Sequence, residues 1–275
     1  MSDTLERGFV EYNADSPASW KESWQTDPPG GALSDKWPQL IASFRSRTPL
    51  GELAADFSAE LIGGGEFILS SYRGKKSVLI VFGSLACPPC VTNISVATPN
   101  LRSLYEKHAA AIEFAYVYTR EAHPGKNIAP HRSMDEKRAN AKKLKELEGI
   151  SFPLVVDTLD GRIQRLYVDP RFNNPVFLVN RAGVVVYKSA WLDSSELPQV
   201  LEDQAFWDER STIDATIKKT VSERIRALRE PYDPNCNQRF KSLMRYIGLP
   251  ETGIGPVPGI DAVKLATATE PPPGG

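Results

Sequence analysis

The tetrapeptide Cys87-Pro-Pro-Cys90 constrains the fold more than any other part of this sequence. It follows the run from Val78 to Phe82, which is short, apolar and β-branched, as buried strands are. It precedes a segment whose apolar residues recur at helical spacing. Two cysteines three residues apart at such a junction are close enough to bridge without straining the backbone. The sequence therefore predicts a central strand that leads directly into a redox-active cysteine pair.

The start of the predicted helix gives the two cysteines different roles. The first N–H groups of a helix lack partners and carry partial positive charge, so a thiol placed there is stabilised as the thiolate. Pro88 and Pro89 suit this first turn, where their missing N–H groups would have been unpaired anyway. We therefore expect Cys87 to be the exposed attacking thiolate and Cys90 the buried thiol that resolves a mixed disulfide.

Composition excludes several classes of partner. A net charge of −1 over 275 residues gives no electrostatic footprint for nucleic acid or an acidic membrane surface. No stretch approaches the roughly 18 apolar residues of a membrane span, and the acidic N-terminus does not resemble a signal peptide. Three cysteines, with Cys236 far from the pair, do not make a disulfide framework. We expect a cytoplasmic protein with no nucleic-acid or membrane partner and leave its oligomeric state open.

Zinc binding is the main alternative use of such a cysteine pair. A structural zinc site needs four ligands, usually two such pairs or one pair with suitably spaced histidines. The chain has no second pair, and His108, His123 and His131 do not have that spacing. We therefore expect neither a metal ion nor a bound cofactor.

The remaining apolar patterns predict an α/β fold. Strands are expected at 112–118 and 152–156, hairpins at 55–70 and 176–188, and helices at 91–105 (broken near Pro99), 133–148, 161–168 and 194–202. Strands joined by helices imply a partly parallel sheet covered on both faces, and the second hairpin adds antiparallel strands. The predicted architecture has three layers, with a central mixed sheet between helices.

Changes in amino-acid composition along the chain also predict its division into four segments. Residues 1–48 form a predicted irregular arm with a short helix near 36–45, and 49–205 form the main domain. Residues 206–248 are predicted to be a helical extension, and 249–275 a disordered tail rich in Pro and Gly.

Two polar residues are expected near the cysteines. Glu121 and His123 follow the predicted strand 112–118, at the sheet edge where Cys87 follows its own strand. A histidine near a thiolate can lower the pKa of that thiol or donate a proton to a leaving group. The alternative for His123 is a loop histidine held by a carboxylate or a carbonyl.

Longer segments resemble known families. The runs 50–57, 69–76 and 174–187 together with the cysteine motif resemble the redoxin branch of the thioredoxin superfamily. More narrowly, Phe82-Gly-Ser-Leu-Ala-Cys87-Pro-Pro and Tyr116-Val-Tyr-Thr-Arg-Glu121-Ala-His123-Pro124 resemble the iodothyronine deiodinase family. The similarity covers about residues 50–200, and it implies a thioredoxin fold.

This resemblance assigns roles to individual residues. Cys87 occupies the family's selenocysteine position, and Glu121, His123, Pro88 and Pro89 match family residues. Sulfur in place of selenium is a weaker nucleophile with a higher pKa. Cys90 departs from the pattern, since the animal enzymes have an aromatic residue there, and Leu85 stands where the family has a cysteine.

The thioredoxin fold also implies a substrate groove. In that fold a cis proline faces the cysteine pair, and Pro175 after Asn174 stands at the matching place. We therefore expect a cis bond between these two residues and a groove lined by them.

Four functions are compatible with the sequence. The leading one is thiol–disulfide exchange, with a thioredoxin-like or glutathione-like reductant and a disulfide or small oxidised substrate as partners. The second is reductive dehalogenation by Cys87 with Glu121 and His123. The third is peroxide reduction, because Ser84 lies three residues before Cys87, where peroxiredoxins have a threonine. The fourth is a non-catalytic binding module.

Overall fold

A computed structural model describes residues 37–122, 124, 127–170, 172–210 and 222–224. Most of the predicted arm, the tail, His123 and Cys236 lie outside this range. Within it, no helix is long and apolar enough to cross a membrane.

The described part alternates strands and helices, as the sequence predicts. In chain order the elements are α1 (Trp37–Ser46), β1 (Ser58–Glu60), β2 (Glu66–Ile68), a 3-10 turn (Leu69–Tyr72), β3 (Ser77–Gly83), α2 (Pro88–Ser95), α3 (Leu101–His108), β4 (Ile112–Tyr118), α4 (Met134–Glu148), β5 (Leu154–Val156), α5 (Arg162–Tyr167), β6 (Val176–Val179), β7 (Val185–Ser189), a second 3-10 turn (Ser194–Glu196), α6 (Leu197–Arg210) and β8 (Ser222–Arg224).

One mixed sheet organises these elements. Its strand order is β5-β4-β3-β6-β7-β8, and β1 and β2 form a separate antiparallel hairpin. The central strand β3 pairs in parallel with β4 and antiparallel with β6. In this register Gly83 at the end of β3 lies beside Tyr118 at the end of β4, so both strands end at the same sheet edge. The predicted mixed sheet is confirmed.

Helices cover both faces of the sheet. Along β3, Leu79 and Val81 pack into a cluster with α2, α3, α4 and α6, whereas Val78, Ile80 and Phe82 pack into a cluster with α1, α5 and the β1–β2 hairpin. This alternation follows from the period of two along a strand. The three-layer α/β/α class is therefore confirmed.

The C-terminal segment differs from its prediction. Helix α6 runs past the expected domain boundary at 205 to Arg210, and Ser222–Arg224 pairs in parallel with β7 as strand β8. That strand lies inside the segment 206–248 that was predicted to be helical. Its pairing gives the edge of β7 a partner for its backbone groups, a tertiary contact that local helical spacing does not reveal.

The end of the arm is anchored to the sheet by a buried lysine. The Nζ of Lys188, on β7, donates to the carbonyls of Phe44 at 2.8 Å, Arg45 at 3.2 Å and Arg47 at 3.3 Å. Its ammonium also lies 4.7 Å from the centre of the Phe44 ring. A cation at the C-terminus of α1 satisfies carbonyls that the helix leaves open and complements its dipole. Helix α1 is therefore packed as part of the domain.

Candidate active site

The cysteine pair lies where the sequence predicts it. Cys87 is the N-cap of α2 with an extended backbone, and Pro88 and Pro89 occupy the first two helical positions. Cys87 and Cys90 are joined by a disulfide, with their Cα atoms 5.2 Å apart. The pair therefore lies at the carboxyl edge of the sheet, at the start of a helix.

The predicted exposure of Cys87 is wrong. Its residue exposure is 1%, that of Cys90 is 0%, and the two pack in a small buried cluster with Ala122. The reason is the loop after β4, which is hydrogen-bonded to the loop before Cys87 and brings Ala122 against the disulfide. Both cysteines are therefore shielded from solvent.

The two prolines reduce the number of backbone N–H groups that the start of α2 can donate to a thiolate. Neither Pro88 nor Pro89 has an N–H, so the first donor of α2 is the N–H of Cys90. The next N–H, on Val91, donates to the carbonyl of Cys87 at 3.1 Å. Stabilisation of a Cys87 thiolate by this helix would rest on one N–H and the dipole, which is less than an ordinary helix start provides.

A buried carboxylate supports the loop that carries Cys87. Oε2 of Glu121 accepts from the backbone N of Ala86 at 2.7 Å. Oε1 accepts from the Tyr118 hydroxyl and from Asn140 Nδ2 at 3.3 Å, and it lies 3.0 Å from His131 Nε2. The Glu121 side chain is completely buried, so these contacts replace water. Glu121 therefore connects the residue before Cys87 to β4, to α4 and to the loop between them.

Tyr118 completes this network as a donor. Its burial, and next the nearby Glu121 carboxylate, raise the pKa of Tyr118 well above its usual value. The phenol therefore stays protonated and donates to Glu121, while its oxygen accepts from the Leu85 N–H at 3.3 Å. Two consecutive residues before Cys87 thus bind to the Tyr118–Glu121 pair.

Some of the residues predicted to support the cysteines lie at the site, and one lies outside the described part of the chain. Glu121 and Ser84 lie next to the cysteine loop, and the Ser84 hydroxyl accepts from the Ala122 N–H at 3.0 Å. His123 lies outside the described residues, so its place remains a prediction. Among the described residues, the histidine that lies next to Glu121 is His131, to which the sequence analysis assigned no role. Its only signal was that it lies in the connection after β4, at the same sheet edge.

The predicted cis proline is wrong. The cis bond in the described part of the chain is Thr98–Pro99, and the bond from Asn174 to Pro175 is trans. Trans is the intrinsically favoured isomer. The Pro175 carbonyl accepts from Phe82 N at 3.1 Å, and the Asn174 carbonyl accepts from Leu192 N at 2.8 Å. Asn174 and Pro175 are both buried, so they do not line an open groove here. The side-chain amide of Asn174 has no hydrogen-bond partner among the described residues.

The fold and the site together define a class of protein. A parallel β3-helix-β4 unit followed by the β6–β7 hairpin and α6, in the strand order β4-β3-β6-β7, is a thioredoxin fold. A bonded Cys-x-x-Cys pair follows the first strand of this unit. The protein therefore has a thioredoxin fold with a disulfide-bonded cysteine pair at the carboxyl edge of its sheet.

The family follows from comparison with known sequences. The model of the iodothyronine deiodinase family matches residues 2–202, and the chain belongs to that family. The match includes the arm, so the similarity is not limited to residues 50–200 as the motifs alone suggested.

The sequence identity to individual deiodinases is low. The chain is 31% identical over 121 residues to a type II iodothyronine deiodinase from Fundulus heteroclitus, covering 38% of this chain and 43% of that protein. It is 24% identical over 185 residues to a thyroxine 5-deiodinase from Ovis aries, covering 58% of this chain and 61% of that one. The matches thus span about half the length of these relatives. Among solved structures, a thioredoxin-family thiol:disulfide interchange protein from Chlorobium tepidum is 18% identical, with a TM-score of 0.42 over 56% of this chain and 97% of that one.

Proposed function

We propose that this chain is a thiol–disulfide oxidoreductase whose Cys87 and Cys90 cycle between dithiol and disulfide. The observation that carries the proposal is the disulfide between them at the start of α2. The burial of Glu121 beneath the loop, with Ala86 N as a donor, supports it, because such contacts set the position of Cys87.

The proposed reaction consists of two thiol–disulfide exchange steps. The Cys87 thiolate attacks a substrate disulfide, forms a mixed disulfide and releases one substrate thiolate, which takes up a proton. The Cys90 thiolate then attacks Cys87 Sγ, forms the intramolecular disulfide and releases the second substrate thiol. The substrate gains two electrons and two protons. A thioredoxin-like dithiol, or two glutathione-like thiols, returns the same number to the chain.

The buried network has a defined role in this cycle. Glu121 binds the backbone of Ala86, and the neighbouring Tyr118 hydroxyl binds that of Leu85. These bonds fix the loop so that Cys87 stays within reach of Cys90 when the disulfide opens. The Ala122 segment would move to admit the substrate, because it packs directly on the pair.

Family membership favours reductive dehalogenation as a second candidate. Here Cys87 thiolate takes iodine from an aryl iodide while the ring carbon receives a proton, and Cys90 thiolate then displaces iodide to form the disulfide. The net change converts an aryl iodide and two thiols into the arene, a disulfide, iodide and a proton. Thiol-dependent release of iodide from a diiodophenol, lost in Cys87→Ser, separates this candidate from simple disulfide exchange. The peroxidase and binding-module alternatives remain predictions.

The first prediction concerns trapping of the intermediate. Cys90→Ser removes the resolving thiol, so incubation with glutathione disulfide is expected to leave about one glutathione bound at Cys87, because nothing can release it. Cys87→Ser should form no such adduct, and Cys236→Ser should behave as the unmodified chain. Intact-mass spectrometry followed by peptide mapping measures the adduct. If Cys90→Ser stays folded by circular dichroism yet forms no adduct at Cys87, the proposal fails.

A further inference from the structure

A small space next to Cys90, at the end of β3, is a second feature of the site. Gly83 ends β3 there, and a Cβ at that position would overlap the hydroxyl of Tyr116 and lie 3.1 Å from Cys90 Sγ. The hydroxyl therefore occupies the space that Gly83 leaves, and the sulfur of Cys90 borders the same space. This notch is defined by Gly83, Tyr116 and Cys90.

The Tyr116 hydroxyl is anomalous in this oxidised state. It is buried and has no hydrogen-bond partner among the described residues. A buried hydroxyl without a partner costs about 1–3 kcal/mol. Two carboxylates act electrostatically on Tyr116: Glu121, after β4, and Glu148, at the end of α4. Burial, and then these carboxylates, raise the pKa of Tyr116, so its hydroxyl remains a proton donor.

We propose that Tyr116 is a positioning residue for the resolving sulfur, and that its hydroxyl donates a hydrogen bond to Cys90 Sγ once the disulfide is reduced. The inference rests on the proposed dithiol function. A thiolate accepts hydrogen bonds more strongly than a disulfide sulfur, because it carries a full negative charge. Reduction thus supplies the partner that the hydroxyl lacks in the oxidised chain.

Two consequences follow for the redox cycle. The hydrogen bond stabilises the reduced form relative to the disulfide, so it makes the chain a stronger oxidant. It also favours the Cys90 thiolate over the thiol, and the thiolate is the species that attacks Cys87 Sγ during resolution.

Tyr116→Phe tests the inference, since it removes only the hydroxyl. We expect the equilibrium between dithiol and disulfide in glutathione buffers to shift about ten-fold toward the disulfide, which is about 30 mV for a two-electron couple. The oxidised variant should resist urea as well as or better than the oxidised unmodified chain, because an unpaired buried group is lost. The reduced variant should be less resistant than its unmodified counterpart.

Tyr167→Phe is the matched control. Tyr167 is equally buried, lies in the opposite layer and donates to the carbonyl of Ala55 at 2.6 Å. Its loss should weaken both redox forms alike and leave the potential unchanged. If the unmodified chain shows a reversible dithiol–disulfide couple and Tyr116→Phe has the same midpoint potential, this inference is wrong but the proposed function stands. A folded unmodified chain with no reversible couple would overturn both the inference and the proposed function.

Discussion

Replacing Glu121 with alanine is expected to lower the free energy of unfolding by about 3–5 kcal/mol. The substitution removes a buried carboxylate and leaves Ala86 N, Asn140 Nδ2 and the Tyr118 hydroxyl without that acceptor. Each unpaired buried group adds a desolvation penalty, because water does not replace the lost bond. Urea unfolding of the oxidised chain, followed by circular dichroism, measures the change.

Two further variants make this result specific. Glu121→Gln keeps the shape of the side chain, but its amide has one oxygen where the carboxylate has two. It can therefore accept from Ala86 N–H or from the Tyr118 hydroxyl, but not from both, and a smaller loss of about 1–3 kcal/mol is expected. Glu146→Ala is the surface control, because Glu146 is largely exposed and lies 3.9 Å from Lys142; its effect should stay within about 0.5 kcal/mol. If Glu121→Ala is as mild as Glu146→Ala, the carboxylate does not organise the cysteine loop.

The second large effect is expected at Gly83. Gly83→Ala introduces a methyl group that overlaps the Tyr116 hydroxyl and crowds Cys90 Sγ. Because the Tyr116 ring is itself completely enclosed, it has little room to retreat, and a loss of about 2–3 kcal/mol is expected from overpacking. Thermal and urea unfolding of the oxidised variant measure this loss.

A double variant tests the cause. Gly83→Ala combined with Tyr116→Phe removes the Tyr116 oxygen, which the new methyl group overlaps most, and leaves the ring carbon that bore it 2.8 Å away. The pair should therefore be at least about 1 kcal/mol more stable than the sum of the single effects. Strict additivity would show that Gly83 is required for a reason other than the Tyr116 hydroxyl.

The sequence was informative where structure is decided locally. The run from Val78 to Phe82, the cysteine motif after it and the helical pattern at 133–148 correctly predicted the central strand, the start of α2 and the extent of α4. Gly149, with φ of 59°, is the C-cap that ends α4 at the predicted bound of 148, since glycine adopts left-handed backbone without a steric cost. These signals fixed the order of elements and therefore the sheet edge at which the site lies.

What the sequence missed depends on contacts between distant segments. The burial of Cys87 results from the loop after β4, and the contact of His131 with Glu121 depends on how that loop returns to α4. In the sequence Lys188 is an ordinary polar strand residue, whereas in the fold three carbonyls from α1 and the residue after it surround its ammonium group. Spacing along the chain carries no signal for such contacts.

The most direct test of the account is a redox titration that follows each cysteine separately. The unmodified chain is equilibrated in glutathione buffers of stepped potential, and free thiols are alkylated and counted by peptide mass spectrometry. We expect Cys87 and Cys90 to lose their alkylation together, in one two-electron transition with a midpoint between roughly −270 and −120 mV, the span of thioredoxin-fold oxidoreductases. Independent titration of the two cysteines, or alkylation of both across the whole range, would contradict a dithiol–disulfide centre.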